Sequence, residues 1–195
     1  MDFKELCRRR RTVRFYQKKT VALEHLTALI DLARRVPSAS NNQILRYTVV
    51  RNPDLVQAVF LNTAWGGRVT PRRSPEWGHN APPAFIAVSA LRTGEKLSVM
   101  AYADAGAAIM TMQYGATDAG LASCWIGAFK AKEVTELLAI PPQEQLIFLL
   151  AVGHGTEKPV MDEIEAGESV AYYLDTFDTL HVPKYSVKAI TRIFD

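Results

Sequence analysis

"AFIAVSAL", residues 84–91, is apolar on both alternating positions and broken only by Ser89. A strand that is apolar on every position, rather than every second one, is covered on both faces. Close behind comes "LSVMAYADAGAAIMTMQYGATDAGL", residues 97–121, apolar nearly all the way round and rich in alanine and glycine. A helix of that composition is buried on most sides, and its small residues admit another backbone, from the same core or from a second subunit.

Working outward, "DFKELCRR" predicts a first helix. "ALEHLTALIDLARRV" predicts a second, with Leu23, Leu26, Ile30 and Ala33 on one face and Pro37 ending it. "RYTVVR" reads as a strand, and "PDLVQAVFLNTA" as a helix with Pro53 in its first turn. Downstream, "SCWIGAF" reads as a short strand or turn, "AKEVTELLAI" as a helix stopped by Pro141 and Pro142, and "QLIFLLAVG" as a buried strand. The more polar end carries "HVPKYSVKAITRIF", an extended segment and a final helix. Short strands alternating with longer helices predict α+β or α/β in one domain spanning residues 1–195. Residues 62–81 hold no period, yet contain two tryptophans and three arginines. A loop of that length is usually functional, and this one reads as a lid or pocket wall.

Composition excludes much. At 195 residues, 48% hydrophobic and 22% charged, the chain is globular rather than disordered, and a net charge of +3 does not by itself make a nucleic-acid binder. Two cysteines, Cys7 and Cys124, give neither a disulfide framework nor a zinc constellation and suit a reducing compartment. The four histidines lie far apart, so no metal site is expected. No segment approaches the ~20 apolar residues of a membrane span, and the expected location is cytoplasmic.

The chemistry gathers in "RRRRTVRF", residues 8–15. Like charges this crowded need solvent or an anionic partner. A solvated run, a nucleic-acid arm and a phosphate pocket all satisfy that need. If residues 10–14 are extended, Arg10, Thr12 and Arg14 point to one side, and guanidinium forks match phosphate oxygens. No self-sufficient nucleophile, phosphate loop or dinucleotide fingerprint occurs elsewhere. An enzyme built on this chain would draw its chemistry from a bound cofactor.

Three segments in this order, "RRTVRFY", "ARRVPSASNNQ" and "GLASCWIGAFKAKEVTELLAIP" leading into "LLAVGHG", resemble the nitroreductase family of FMN-dependent oxidoreductases across essentially the whole chain. The resemblance implies a homodimer of α+β fold, a three-layer arrangement with a mostly antiparallel central sheet flanked by helices, and two FMN sites at the subunit interface. It implies that Arg10 and Thr12 grip the FMN phosphate and ribityl chain, with Arg11 adding a contact or facing solvent. Arg14 would lie near the N1–C2=O edge of the flavin, an electrostatic aid rather than a catalytic group. Pro37, Ser38, Ala39 and Asn41 match the loop that reaches the flavin from the partner subunit, with Gln43 supporting it. "Q-I-L" stands there where many members have "Q-P-W". Trp125, Ile126, Gly127 and Ala128 match the segment running along the ring, and Lys184 in "HVPKY" matches a further phosphate cation. Arg72 and Arg73 are candidates for one more flavin contact. The implied activity is hydride transfer from NADH or NADPH through flavin N5 to a nitroaromatic or quinone by two half-reactions, without nucleic acid or membrane as partner. Reductive dehalogenation, double-bond reduction and a non-catalytic flavin store are the alternatives.

Overall fold

The computed structural model describes residues 2–67, 69, 73–92, 94 and 96–194. Its centre is a four-stranded antiparallel sheet of order β1-β2-β4-β3, formed by β1 (Leu45–Val50), β2 (Ala84–Leu91), β3 (Ala122–Ile126) and β4 (Glu144–Gly153). β2 lies between β1 and β4, with Leu45 opposite Ala90 and Ala84 opposite Val152. Its alternation divides two cores. Ala84, Ile86, Val88 and Ala90 face α2 (Leu23–Ala33) and α4 (Val99–Asp118), whereas Phe85 and Ala87 face a second cluster containing Val56 and Val59 of α3 (Pro53–Leu61) and Val134 of α5 (Ala131–Leu137). Helices therefore cover both faces of the sheet, and "AFIAVSAL" is apolar throughout because neither face meets water.

Local signals set the helix ends. Asp2 accepts from the Glu5 N–H ahead of α1 (Phe3–Arg9), Asn52 accepts from Asp54 and Leu55 ahead of Pro53, and Ser98 caps α4 through Met100. One expectation needs correction. On α2 the buried residues are Leu26, Leu29 and Ala33, while Leu23 is exposed at the first turn, where the chain is still approaching the core. The polar end holds a second sheet, β5-β7-β6, in which β5 (Val160–Ile164) runs parallel to β7 (Leu180–Tyr185) and β6 (Tyr173–Leu174) antiparallel to it, before the short α6 (Val187–Ile190). β5 and β6 are short and hold no buried residue, so they carry no apolar run by which to read them.

The described residues of the 62–81 stretch are irregular yet anchored. Thr63 bridges Phe129, Trp65 is buried, and Trp77 packs on Phe60 at 5.7 Å between ring centroids.

Candidate active site

The arginine-rich stretch leaves α1 at Arg10 and runs extended beside the free edge of β3. Thr12 forms a parallel bridge with Ser123, whose carbonyl accepts from Val13 at 3.1 Å. Further on, Thr156 donates to the Phe15 carbonyl and Gln17 to that of His154. Buried Tyr16 donates its hydroxyl to the Val13 carbonyl at 2.7 Å, and burial raises its phenol well above the ordinary range.

An extended chain sends alternate side chains to opposite sides, and the cavities obey that rule. Arg14 enters a cavity of about 260 Å³ walled by residues 64–67, the stretch Cys124–Ala128, and Tyr172. Arg11 and Val13 line a different cavity, of about 490 Å³, with Arg9, Glu157 and Lys158. Arg11 also donates to the Arg10 and Cys7 carbonyls, closing the end of α1. Burial, then the neighbouring Arg10 charge, lowers its pKa.

The arginines differ in what they lack. Arg8 and Arg9 pair with Glu5, and Arg34 and Arg35 with Asp31. The Arg14 guanidinium has no carboxylate within 4 Å among the described residues, although its main-chain N–H donates to Glu157 at 2.5 Å. The Nε of Arg10 is buried with no hydrogen-bond partner, the sole such side-chain atom among the described residues. A buried donor left unmade is costly, so the Arg10 Nε suits an anionic partner, although neither Arg10 nor Thr12 lines the cavity that Arg14 enters.

The β3 wall is partly aromatic. Trp125, at 36% exposure, stands edge-on to Phe148 with centroids 5.0 Å apart. A Cβ on Gly127 would meet the Phe148 ring at an ordinary 3.5 Å, so packing within this chain does not demand glycine there. Gly66, opposite, is required by the chain itself: its φ is +55°, and a Cβ would stand 2.3 Å from the Arg73 carbonyl oxygen. Cys124 also lines the cavity, but burial pushes its thiol up to about 11, which leaves it protonated and inert.

The remaining predicted residues lie elsewhere in the protomer. Ser38 and Gln43 line a cavity of about 160 Å³ with Arg34, Arg46 and Asp104. The loop is tightly made, with Ser40, Asn41 and Gln43 at φ of 51°, 53° and 48°. Buried Asp104 of α4 accepts from the Ala39 N–H at 3.0 and 3.3 Å. Pro37, Ala39 and Asn41 do not line the Arg14 cavity. Lys184 sits exposed on β7, opposite Glu163, in a cavity of about 560 Å³ that shares only Tyr172 with the Arg14 cavity among the described residues. Arg73 turns away from the cavity to pair with Asp178 at 3.1 Å, and Arg72 lies outside the described residues.

Sequence reasoning passed over Glu157, Lys158, Tyr172 and Asp104. Asp104 carried a signal, being a lone carboxylate deep in an alanine-rich helix. Tyr172 carried none, because a long return of the chain brings it to the cavity.

A search of family descriptions matches residues 7–154 to the "Nitroreductase family". The chain belongs to the nitroreductase family. Among curated relatives, "Putative NAD(P)H nitroreductase Spy0809" of Streptococcus pyogenes is 26% identical over 189 residues, covering 82% of this chain and 92% of the relative. A nitroreductase family protein from Clostridium novyi NT superposes with a TM-score of 0.66 at 23% identity, covering 83% and 89% of the two chains. A protein described as an FMN-dependent nitroreductase from Clostridium difficile R20291 does so at 0.65 and 23%, covering 80% and 88%. These similarities place the layered α+β architecture of this nitroreductase-family chain among known folds. Among its described residues no helix is long and apolar enough to cross a membrane, and no group of three His, Cys, Asp or Glu could hold a metal ion.

Proposed function

We propose that this protein is an FMN-dependent oxidoreductase that takes hydride from NADH or NADPH and passes it to an electron-poor nitroaromatic or quinone, in two half-reactions using one cavity. The carrying observation is the pair of unanswered guanidinium groups, with Arg14 inside a cavity and Arg10 holding a buried, unpartnered Nε. The residues fit the cofactor. The Arg10 guanidinium, with its unpartnered buried Nε, suits a phosphate dianion, the Arg14 guanidinium suits the polar edge of a ring, and Gly127 leaves room beside Phe148 that a side chain would fill. Support also comes from the family match, from the name of the streptococcal relative and from that of the clostridial structure.

Bound FMN supplies the hydride-accepting and hydride-donating centre, which the side chains of this protein lack. Arg10 and Thr12 would hold the phosphate and ribityl chain, and the permanent charge of Arg14 would offset negative charge gained by the cofactor. Trp65 and Trp125 wall the cavity against water, while Cys124 stays protonated and takes no part.

A cavity of about 260 Å³ falls below the ~300–1,000 Å³ common for small-molecule sites. We read the missing wall as a second copy of the chain, contributing its residues 37–41. The exposed Val99, Met100 and Tyr102, with Val187, Ile190, Ile193 and Phe194, offer apolar surface for that contact.

Purified protein incubated with FMN and desalted is expected to keep flavin absorbance and to oxidise NADH or NADPH. Protein that stays colourless after excess FMN refutes the reading. Flavin uptake without turnover makes it a store. With both substrates varied, parallel double-reciprocal lines are expected, and intersecting lines overturn the two-half-reaction scheme.

A further inference from the structure

The cation that the sequence offered as a flavin contact performs a different task. The Glu157 side chain is 11% exposed, and its Oε1 accepts the Arg14 N–H while its Oε2 lies 3.9 Å from Arg73 Nη1. Arg73 also reaches Asp178, and its guanidinium lies over the Phe15 ring at 4.7 Å from the centroid. The main chains of residues 66 and 73 are in close contact, and the Arg14 Cδ stands 3.9 Å from the place of a Gly66 Cβ. One nearly buried carboxylate is thus flanked by two arginines. It holds the first by its backbone and faces the second by its charge.

A buried carboxylate without a cation is strongly unfavourable, and a flexible arginine nearby is the ready remedy. Yet the Arg14 guanidinium stays unpaired among the described residues. We infer that Arg73 is a positioning residue: by answering Glu157, it keeps that carboxylate from capturing the Arg14 guanidinium, which remains free for the cofactor. The inference rests on the reading that Arg14 faces bound FMN. Electrostatically, the cavity offers a full positive charge only while Arg73 holds its place.

The test is a double-mutant cycle on the full chain. Arg73→Met keeps much of the stem over Phe15 and removes the charge. It is expected to weaken FMN binding about ten-fold, equivalent to ~1.4 kcal/mol, and to shift the bound flavin to a more negative potential. Glu157→Gln keeps an acceptor for the Arg14 N–H and removes the competing charge. Added to Arg73→Met, it is expected to restore affinity to within about two-fold and to return the potential, since nothing remains to capture Arg14. A merely structural Arg73 predicts no rescue, and additive losses overturn the inference. So does an Arg73→Met protein with wild-type affinity and potential.

A structure of apo Arg73→Met separates this inference from the functional reading. Arg14 within 4 Å of a Glu157 oxygen supports it, and an Arg14 that stays unpaired overturns it, whatever FMN does. Wild-type protein that takes up no FMN refutes the functional reading alone. If Arg73→Met does not fold, Glu157→Gln by itself decides: retained FMN binding with a more positive potential supports the inference, and lost binding overturns it.

Discussion

Gly66 and Gly67 stand side by side in the wall of the Arg14 cavity, and the structure assigns them opposite sensitivities. Gly66 has φ of +55°, and a Cβ there would lie 2.3 Å from the Arg73 carbonyl oxygen. An alanine pays ~1–2 kcal/mol for the left-handed conformation. Overpacking against main chain adds ~1–3 kcal/mol. Part of the clash can be relieved by moving the Arg73 backbone, so the net loss for Gly66→Ala is put at about 2–4 kcal/mol. At ~2–4 °C per kcal/mol for a domain of this size, the melting temperature should fall by about 4–16 °C. A Cβ on Gly67 would meet no heavy atom within 4 Å among the described residues beyond its chain neighbours, and Gly67→Ala should change stability by less than ~0.5 kcal/mol. Urea unfolding of both variants alongside wild type reads the difference directly. Relief of the clash would displace Arg73 from Glu157 and Asp178, so Gly66→Ala should also bind FMN more weakly than Gly67→Ala. Equal midpoints for the two variants would refute the reasoning, because the loop would then not pass between Arg14 and Arg73 as described.

Three further outcomes are expected. Asp104→Ala removes the acceptor for the Ala39 N–H and should cost ~1–3 kcal/mol in urea unfolding, whereas Asp104→Asn, which keeps an oxygen, should cost less. His181 donates from Nδ1 to Asp162 at 2.8 Å and from Nε2 toward Asp175 at 3.4 Å, with Tyr173 stacked on its ring. Burial opposes its protonation, but the hydrogen bonds to the two carboxylates outweigh it and hold its pKa above the ordinary value. Its contribution is therefore full below about pH 6.5 and lost as pH rises through the raised folded value. The melting temperature should fall across that rise, and His181→Asn should remove this part of the slope. Cys124, with its thiol pushed up to about 11 by burial, should resist alkylation in native protein near neutral pH and react once unfolded, as peptide mass spectrometry would register.

The family and the layered core were legible in order and pattern. Strand β2 lies at residues 84–91 as read, because a segment covered on both faces is apolar at every position. Helix ends were legible to within a few residues, since Pro53 and the caps at Asp2 and Ser98 act locally. The second sheet was not. A two-residue β6 and exposed β5 leave no period, and the pairing of β5 with β7 is a matter of distant register. The site divides in the same way. Alternation along an extended chain accounts for Arg14 and Arg11 entering different cavities, and the resemblance offered Arg10, Thr12 and Lys184, whereas the partner of Arg73 lies 105 positions away and could not be read locally.

The amino-acid order alone determined which groups are available: a run of cations from Arg8 to Arg14, a buried strand, the small pair Gly127-Ala128 after β3, and no protein nucleophile. Periodicity and local sterics act over a few residues and can be read there. Tertiary structure decided which cations are answered. Glu157 and Asp178 draw Arg73 away from the cavity, while the guanidinium groups of Arg10 and Arg14 meet no carboxylate within 4 Å among the described residues. The physical reason is that pairing depends on separation in space, and partners up to 105 positions apart in the chain are brought together only by the packed sheet.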